Sequence, residues 1–257
     1  MGGKKVYIKM QQRLLTAILS AVLLSSVHTA KAQQYTGMNG LLHVPSAEMD
    51  TVGSTHVGMH ALPEYMMPDG MLFNRKEKYA SSNWYLSATP LRWIEVGYSF
   101  TLMKFHKNLD KKREVGFYSK DRYFSLRIQP LREGRYWPSV VIGGNDVVGQ
   151  RNGDSYSYYF RNFYVAASKH QEFSIGEAGL HLAYRKWSKD YNNRWNGVVG
   201  GMTFRPSFYR PLRLIAEYDG DGFNVGTDCL LLRYIQVQMS LMKCKYLSGG
   251  VAIRVVL

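Results

Sequence analysis

Two short stretches have residue types that could bind a metal ion. Asp219–Gly222 reads DGDG, and His56 and His60 are four residues apart. The DGDG stretch lacks the remaining ligands and the closing glutamate of a calcium loop, so a glycine-rich hairpin turn is the favoured interpretation. In the alternating stretch GSTHVGMH, the two histidines would stand about 13 Å apart along a strand, which is too far for a shared ion. The sequence therefore predicts no metal site and no cofactor.

Motifs of nucleophilic or phosphate chemistry are absent. The chain contains no G-x-S-x-G, H-E-x-x-H or P-loop pattern. A serine and a histidine could still meet in space, but no spacing selects a pair. We therefore predict that the protein has no catalytic residues and is not an enzyme.

Acids and arginines recur at alternate positions. In PLRLIAEYD, Arg213, Glu217 and Asp219 share one face of a strand, and apolar residues occupy the other. If the strands form a narrow barrel, these long side chains would point inward, where an ion-pair network that occludes the lumen is favoured over a selectivity filter. The predicted network consists of Glu95, Arg127, Glu177, Arg185, Arg205, Arg213, Glu217, Asp219 and Arg254.

The elements that would position these side chains are strands. Alternation with a period of two recurs along the chain, and helical periodicity is scarce after residue 32. Many of the segments have the nine to eleven residues that cross a bilayer at the tilt of a barrel. The predicted strands are 53–62, 82–90, 91–103, 122–130, 137–145, 159–169, 173–186, 197–206, 211–219, 222–232, 234–243 and 247–256.

The connections between these strands alternate in length. The first, third, fifth and seventh are long, whereas the second, sixth and eighth are short and the fourth is shorter than its neighbours. The ninth and eleventh, DGDG and CKYLS, are short and depart from this alternation near the end of the chain. Outer-membrane barrels have long outer loops and short periplasmic turns, but a soluble β-sandwich, the alternative fold, gives no reason for this parity. Aromatic residues also cluster near strand ends, which suits membrane–water interfaces. We predict an all-β fold: a closed antiparallel up-and-down transmembrane barrel of about 12 strands.

The first 32 residues have the organisation of a secretory signal peptide. Basic residues precede the apolar run LLTAILSAVLLSSV, and Ala30-Lys31-Ala32 fits the small-x-small cleavage rule. We expect a signal peptide at 1–32, an N-terminal periplasmic segment at 33–52 and the barrel at 53–257. Export into the outer membrane of a Gram-negative cell follows from this organisation.

The charge of the exported part is positive. The chain has 33 lysines and arginines against 19 acids, and five of the basic residues but no acid fall within the first 32 residues, which leaves an excess of nine. A basic surface suits anionic partners, and export makes nucleic acid an unsuitable one.

Three segments resemble the YjbH-like family of outer-membrane barrel proteins, which is associated with exopolysaccharide and capsule production. The first is TGMNGLLHVPSAEMDTVGSTHVG, where Pro45, Ser46 and Ala47 match; the third is PLRLIAEYD. The second is WPSVVIGGNDVVGQ followed by FYVAASK, with matches at Trp137, Pro138, Asp146, Ser168 and Lys169. Family members are typically longer, so this chain resembles a short member with a single barrel.

The resemblance implies a non-enzymatic part in exopolysaccharide or capsule export or assembly. The expected partners are the lipid bilayer of the outer membrane, anionic polysaccharide and polysaccharide-export proteins. Two other functions are consistent with a barrel. One is a general porin-like channel, which needs an open lumen. The other is a membrane-embedded lipid-modifying enzyme, which needs a serine, a histidine and an acid on the outer wall.

Overall fold

Strands make up almost all of the regular structure. The computed structural model describes residues 33–69, 77–106, 115–149, 151–152, 155–156 and 158–257, so the predicted signal peptide lies outside the described residues. Alternating apolar and polar side chains suit a pleated sheet whose two faces meet different surroundings. The strands are β1 Ser54–Leu62, β2 Ser81–Leu91, β3 Ile94–His106, β4 Val115–Leu131, β5 Ser139–Gly149, β6 Arg151–Asn152, β7 Ser155–Tyr156, β8 Asn162–Phe173, β9 Gly176–Trp187, β10 Gly197–Pro206, β11 Leu212–Tyr218, β12 Phe223–Leu231, β13 Ile235–Met242 and β14 Tyr246–Val256.

Twelve of these strands form one closed antiparallel ring. Each barrel strand pairs with the next one along the chain, and β1 pairs with β14 to close the ring. The predicted fold class is thus confirmed, and each strand of the ring overlaps a predicted strand. The small β6–β7 hairpin stands outside the ring, in a stretch that the sequence predicts only as a connection.

The ring has two different ends. At the long-loop end β1, β3, β5 and β9 end, and the described residues that follow them are 63–69, 77–80, 151–152, 155–156, 158–161 and 188–196. Two tight turns near the end of the chain also lie there. At the short-turn end lie 92–93, 132–138, 174–175, 207–211 and 232–234. The start of β1 and the end of β14 lie side by side at the short-turn end, where the backbone N–H of Leu257 donates a hydrogen bond to the carbonyl of Gly53 at 3.1 Å.

The outer face of the ring is apolar. In β9, Leu180 and Leu182 are exposed, whereas His181 and Arg185 are buried. A band of exposed apolar residues flanked by aromatic rings matches the surface that a barrel presents to a bilayer. The apolar band includes Val57, Leu86, Val96, Leu126, Ile128, Ile142, Val165, Val198, Met202, Leu214, Val225, Met239, Val251 and Ile253, and exposed aromatic residues near the strand ends include Trp93, Tyr136, Trp137, Phe173, Phe208, Phe117, Phe163 and Phe223. Within the described part of the chain, no helix is long and apolar enough to cross a membrane.

The N-terminal segment occupies the interior of the ring. Every residue from Gln33 to Asp50 is buried, and we call residues 33–50 the plug. Apart from two isolated bridges, Gln33 to Asn39 and Gly40 to Pro45, the plug has no strand pairing. The sequence predicts a periplasmic segment at 33–52; the structure instead packs 33–50 within the lumen. The reason is that its backbone polar groups find partners on the inward faces of the strands.

Candidate functional site

An ion pair on neighbouring strands holds two separate stretches of the plug. Glu95 of β3 accepts hydrogen bonds from the backbone and side-chain nitrogens of Asn39 at 2.8 and 3.0 Å. Arg127 of β4, 3.2 Å from Glu95, donates to the carbonyls of Asn39, Ser46 and Glu48, the last two at 2.7 and 2.8 Å. Because all of these groups are buried, each contact replaces hydration that the plug backbone has lost.

A single carboxylate binds the middle of the plug. Glu217 of β11 accepts hydrogen bonds from the successive backbone N–H groups of Leu42, His43 and Val44 at 2.9, 2.9 and 3.1 Å. The side chain of Asn224 on β12 donates to the same carboxylate at 2.8 Å. Charge-assisted bonds of this kind are stronger than neutral ones, so Glu217 fixes the position of the plug backbone.

The long-loop end of the plug lies under a polar and aromatic cover. The Nδ1 atom of His43 is 3.2 Å from Asp219, and the hydroxyl of Tyr65 donates to the same carboxylate at 3.2 Å. Trp195 packs edge-on against the ring of His43, with 5.0 Å between centroids. Arg185 of β9 donates to the carbonyls of His43, Asp219 and Trp195 at 2.7, 2.9 and 3.2 Å, which ties the plug to the cover.

The protonation states of His43 and Asp219 follow from this environment. Burial, followed by the positive charge of Arg185, lowers the pKa of His43 to about 4. Burial alone raises the pKa of Asp219, but its hydrogen bond to His43 and its interaction with that ring outweigh burial and hold the pKa below its usual value. A neutral imidazole beside an ionised carboxylate is therefore the arrangement that the fold favours near neutral pH.

The short-turn end of the plug carries two acids that meet buried arginines. Glu48 accepts from Arg213 of β11 at 2.7 Å, and Asp228 of β12 accepts from the same guanidinium at 2.8 Å. Asp50 meets Arg254 of β14 at 2.9 Å. Burial raises the pKa of both plug acids, but the arginines and hydrogen-bonded histidines reverse that effect and lower it below the usual range.

The nine charged residues of the predicted network all belong to this lining. Eight are buried, and Glu177 is partly exposed. Their contacts differ from those expected, because few run from one wall of the barrel to another. Glu95–Arg127 and Glu177–Arg205 are pairs between adjacent strands, and most other partners are backbone or acid groups of the plug. The side chains line the lumen, and the plug fills it.

One serine–histidine pair lies within this lining. The Oγ atom of Ser168 on β8 is 2.8 Å from Nδ1 of His181 on β9, and it also accepts a hydrogen bond from the N–H of Ala47 at 2.8 Å. Both side chains are buried. The lipid-enzyme hypothesis requires such a pair on the outer wall, whereas this pair faces the plug.

A cavity with several charged side chains in its lining opens at the short-turn end. Its volume is about 470 Å³, and it lies between the plug, the β2–β3 turn and the β4–β5 connection. Glu48 and Asp50 line it from the plug, and Glu133 and His170 line it from the barrel. The cavity therefore borders the plug's second half.

Positions that carry the family resemblance meet where the plug contacts β8. The carbonyl of Ser46 binds Arg127, and the N–H of Ala47 binds Ser168. The next residue, Lys169, donates to Glu133 at 3.0 Å. Of the other matched positions, Pro45 is in the plug, Trp137 and Pro138 precede β5, and Asp146 is in β5 with a φ of 53°.

Sequence reasoning missed the role of the plug and of three histidines. His43 lies in a stretch without periodicity, and its partners are more than a hundred residues away. His170 and His181 are inward on adjacent strands, but only the register places their rings together, with 5.3 Å between centroids. No local spacing could have selected them.

Comparison with known proteins identifies the family. Among solved structures, the chain is similar to outer membrane phospholipase A from Escherichia coli, at 10% identity and a TM-score of 0.35, with 80% of this chain and 97% of that chain covered. It is also similar to the calcium-bound outer membrane phospholipase dimer of Salmonella typhi, at 10% identity and a TM-score of 0.33, with 93% and 96% covered. Neither likeness is close enough to carry an argument about activity, and no curated protein matches the chain. The family model described as exopolysaccharide biosynthesis protein YbjH matches residues 32–229, and the chain therefore belongs to that family.

Proposed function

We propose that this protein is an outer-membrane barrel with a non-enzymatic part in the export or assembly of exopolysaccharide or capsule. The observation that carries the proposal is the family match over residues 32–229. The apolar outer band and its flanking aromatic rings support a bilayer setting. The filled lumen disfavours a general porin, because the plug occupies the path that solutes would take.

The charge at the long-loop end supports an anionic glycan as the partner. Basic side chains are exposed there: Lys120, Arg122, Lys186, Lys189, Lys243 and Lys245. Among the described residues of this end, fewer acids are exposed, namely Glu64, Glu77 and Asp190. A surface with such an excess of positive charge attracts polyanions over about 10 Å at ordinary ionic strength. The proposed role is to guide the glycan over this surface while polysaccharide-export proteins supply the pore.

The test is a deletion strain of the native host, complemented with variants. We expect loss of the protein to reduce the amount or the surface attachment of exopolysaccharide, and the wild-type gene to restore it. A Lys186→Glu, Lys189→Glu double variant should restore it poorly. Arg135→Glu, an exposed charge reversal at the short-turn end, is the matched control and should restore it fully. Unchanged polysaccharide in the deletion strain would contradict the proposal.

A further inference from the structure

Two potential metal ligands line the 470 Å³ cavity, and a third lies next to them in the barrel wall. Glu48 of the plug, His170 of β8 and His181 of β9 each offer one ligand atom, and these atoms all lie within 4.8 Å of one another. Two imidazoles and one carboxylate form a ligand set that suits zinc and related divalent transition metals.

The barrel register creates the space between the two rings. His170 is paired with Gly179 of β9, and Gly179 is also paired with Thr203 of β10. A Cβ at Gly179 would lie 2.8 Å from both Cδ2 of His170 and Nε2 of His181. The absence of a side chain at this position therefore lets the Nε2 side of His181 approach His170.

Both histidines are oriented through their other ring nitrogen. Nδ1 of His170 is 2.7 Å from Oε2 of Glu133, and Nδ1 of His181 is 2.8 Å from Oγ of Ser168. Metal-binding histidines are usually fixed in this way, by a partner that takes the Nδ1 proton and leaves the Nε2 lone pair free. Nε2 of His170 is buried and makes no hydrogen bond within the described residues. Nε2 of His181 lies 3.1 Å from Oγ1 of Thr203, a hydroxyl that must turn away when an ion binds.

The two carboxylate oxygens of Glu48 have different neighbours. Oε2 accepts from Arg213 at 2.7 Å, and Oε1 lies 3.5 Å from Nε2 of His170 and 3.7 Å from Nη2 of Arg205. The positive charge of Arg213 is also met by Asp228 at 2.8 Å, and that of Arg205 by Glu177 at 3.3 Å. Each guanidinium therefore has a carboxylate besides Glu48, which leaves the charge of Glu48 available to a cation.

We propose that Glu48, His170 and His181 form a binding site for one divalent transition-metal ion of the zinc class. Glu133, Ser168 and Arg213 act as positioning residues that orient the three ligands. Glu48 and His170 line the cavity, so the ion enters from the short-turn end and keeps a coordination position open toward the cavity. The bound ion links the plug to β8 and β9. This proposal does not depend on the role in polysaccharide export.

The decisive measurement is a titration of the purified, chelator-treated full-length protein in detergent with Zn²⁺ by calorimetry, together with the visible absorption of Co²⁺ as the substituting ion. We expect one ion per chain and a tetrahedral Co²⁺ spectrum. His170→Gln and His181→Gln should abolish the spectrum, and Glu133→Gln should weaken the affinity about 10- to 100-fold, as loss of an orienting carboxylate does. His60→Gln, which removes a buried histidine of β1 outside the cluster, is the matched control and should bind normally.

The alternative occupant of the same geometry is a proton. An imidazolium at His170 would satisfy Glu48 and Glu133 without any ion. Wild-type protein that binds no Zn²⁺, or binding that persists unchanged in both histidine variants, would overturn the proposal. The wild-type titration decides the first point even if a variant fails to fold, and heat-modifiable migration of the barrel on gels identifies the folded variants.

Discussion

Arg254 and Asp50 are 204 residues apart in sequence and form a two-bond ion pair inside the barrel. Nη2 and Nε of the arginine donate to the two carboxylate oxygens at 2.9 and 3.2 Å, and both side chains are almost fully buried. Nε2 of His56 lies 2.7 Å from the same carboxylate. The last strand is thereby joined to the end of the plug.

Removal of one partner of this pair should strongly destabilise the protein. Because the remaining charge would be buried without its partner, we expect Arg254→Met or Asp50→Asn to cost about 3–5 kcal/mol of unfolding free energy. The double variant should cost less than the sum of the single ones. Urea unfolding in detergent measures this, and Arg210→Met, in an exposed pair with Glu172, is the control and should cost at most about 1 kcal/mol. Equal losses in the buried and exposed pairs would contradict the assigned burial.

The bilayer face can be tested at Leu182. This side chain is exposed in the middle of β9, so Leu182→Arg should place a charge in lipid and cost about 2–4 kcal/mol near the bilayer midplane. Ile175 is exposed to a similar degree but lies in the β8–β9 turn, and Ile175→Arg should cost about 0–1 kcal/mol. Unfolding in lipid vesicles compares the two. If they lose equal stability, the outer band of β9 does not face lipid.

The plug should keep the ion conductance of the barrel low. We expect the wild-type protein to show little conductance in planar bilayers, and Glu217→Ala to open more often, because three backbone N–H groups of the plug lose their acceptor. Glu172→Ala removes an exposed acid at the short-turn end and should conduct like the wild type. A large, steady current through the wild-type protein would instead favour the porin hypothesis.

Acid should loosen the plug, in part through His43. Its pKa is lowered to about 4 in the folded protein from an ordinary value of 6.5, so the fold favours the neutral ring. The corresponding stability is fully present above pH 6.5 and is lost as the pH falls toward 4, by up to about 3 kcal/mol. Below that range the lowered pKa values of Glu48 and Asp50 extend the loss. Urea midpoints from pH 7 to pH 4 should fall less steeply in His43→Gln, and an unchanged slope would contradict this account.

The strands were predictable because their signal is local. The alternation in β9 and β13 puts apolar residues on one face at a period of two, so neighbouring residues alone reveal both the strand and its outer side. The inward direction of Arg127 and Glu217 follows from the same count. The partners of these side chains do not follow from that count, since Glu217 binds residues 173 to 175 positions away.

The plug was not predictable for the opposite reason. Its backbone is stabilised by side chains of many strands rather than by a repeating pattern of its own, so residues 33–50 have no periodicity to detect. Similarly, Glu48, His170 and His181 come together only once the register of β8 and β9 and the course of the plug are both known.

The plug also constrains the order of assembly. Three residues separate its end from β1, and β1 is the strand that must pair with β14, the last strand of the ring along the chain. Closing a loop of about two hundred residues is entropically costly and slow, so the barrel must pass through an open sheet with unpaired edges. In such a sheet the plug can take its place from the side, whereas a closed ring would leave only its ends for entry. The seam between β1 and β14 is therefore expected to form last, around a plug already seated.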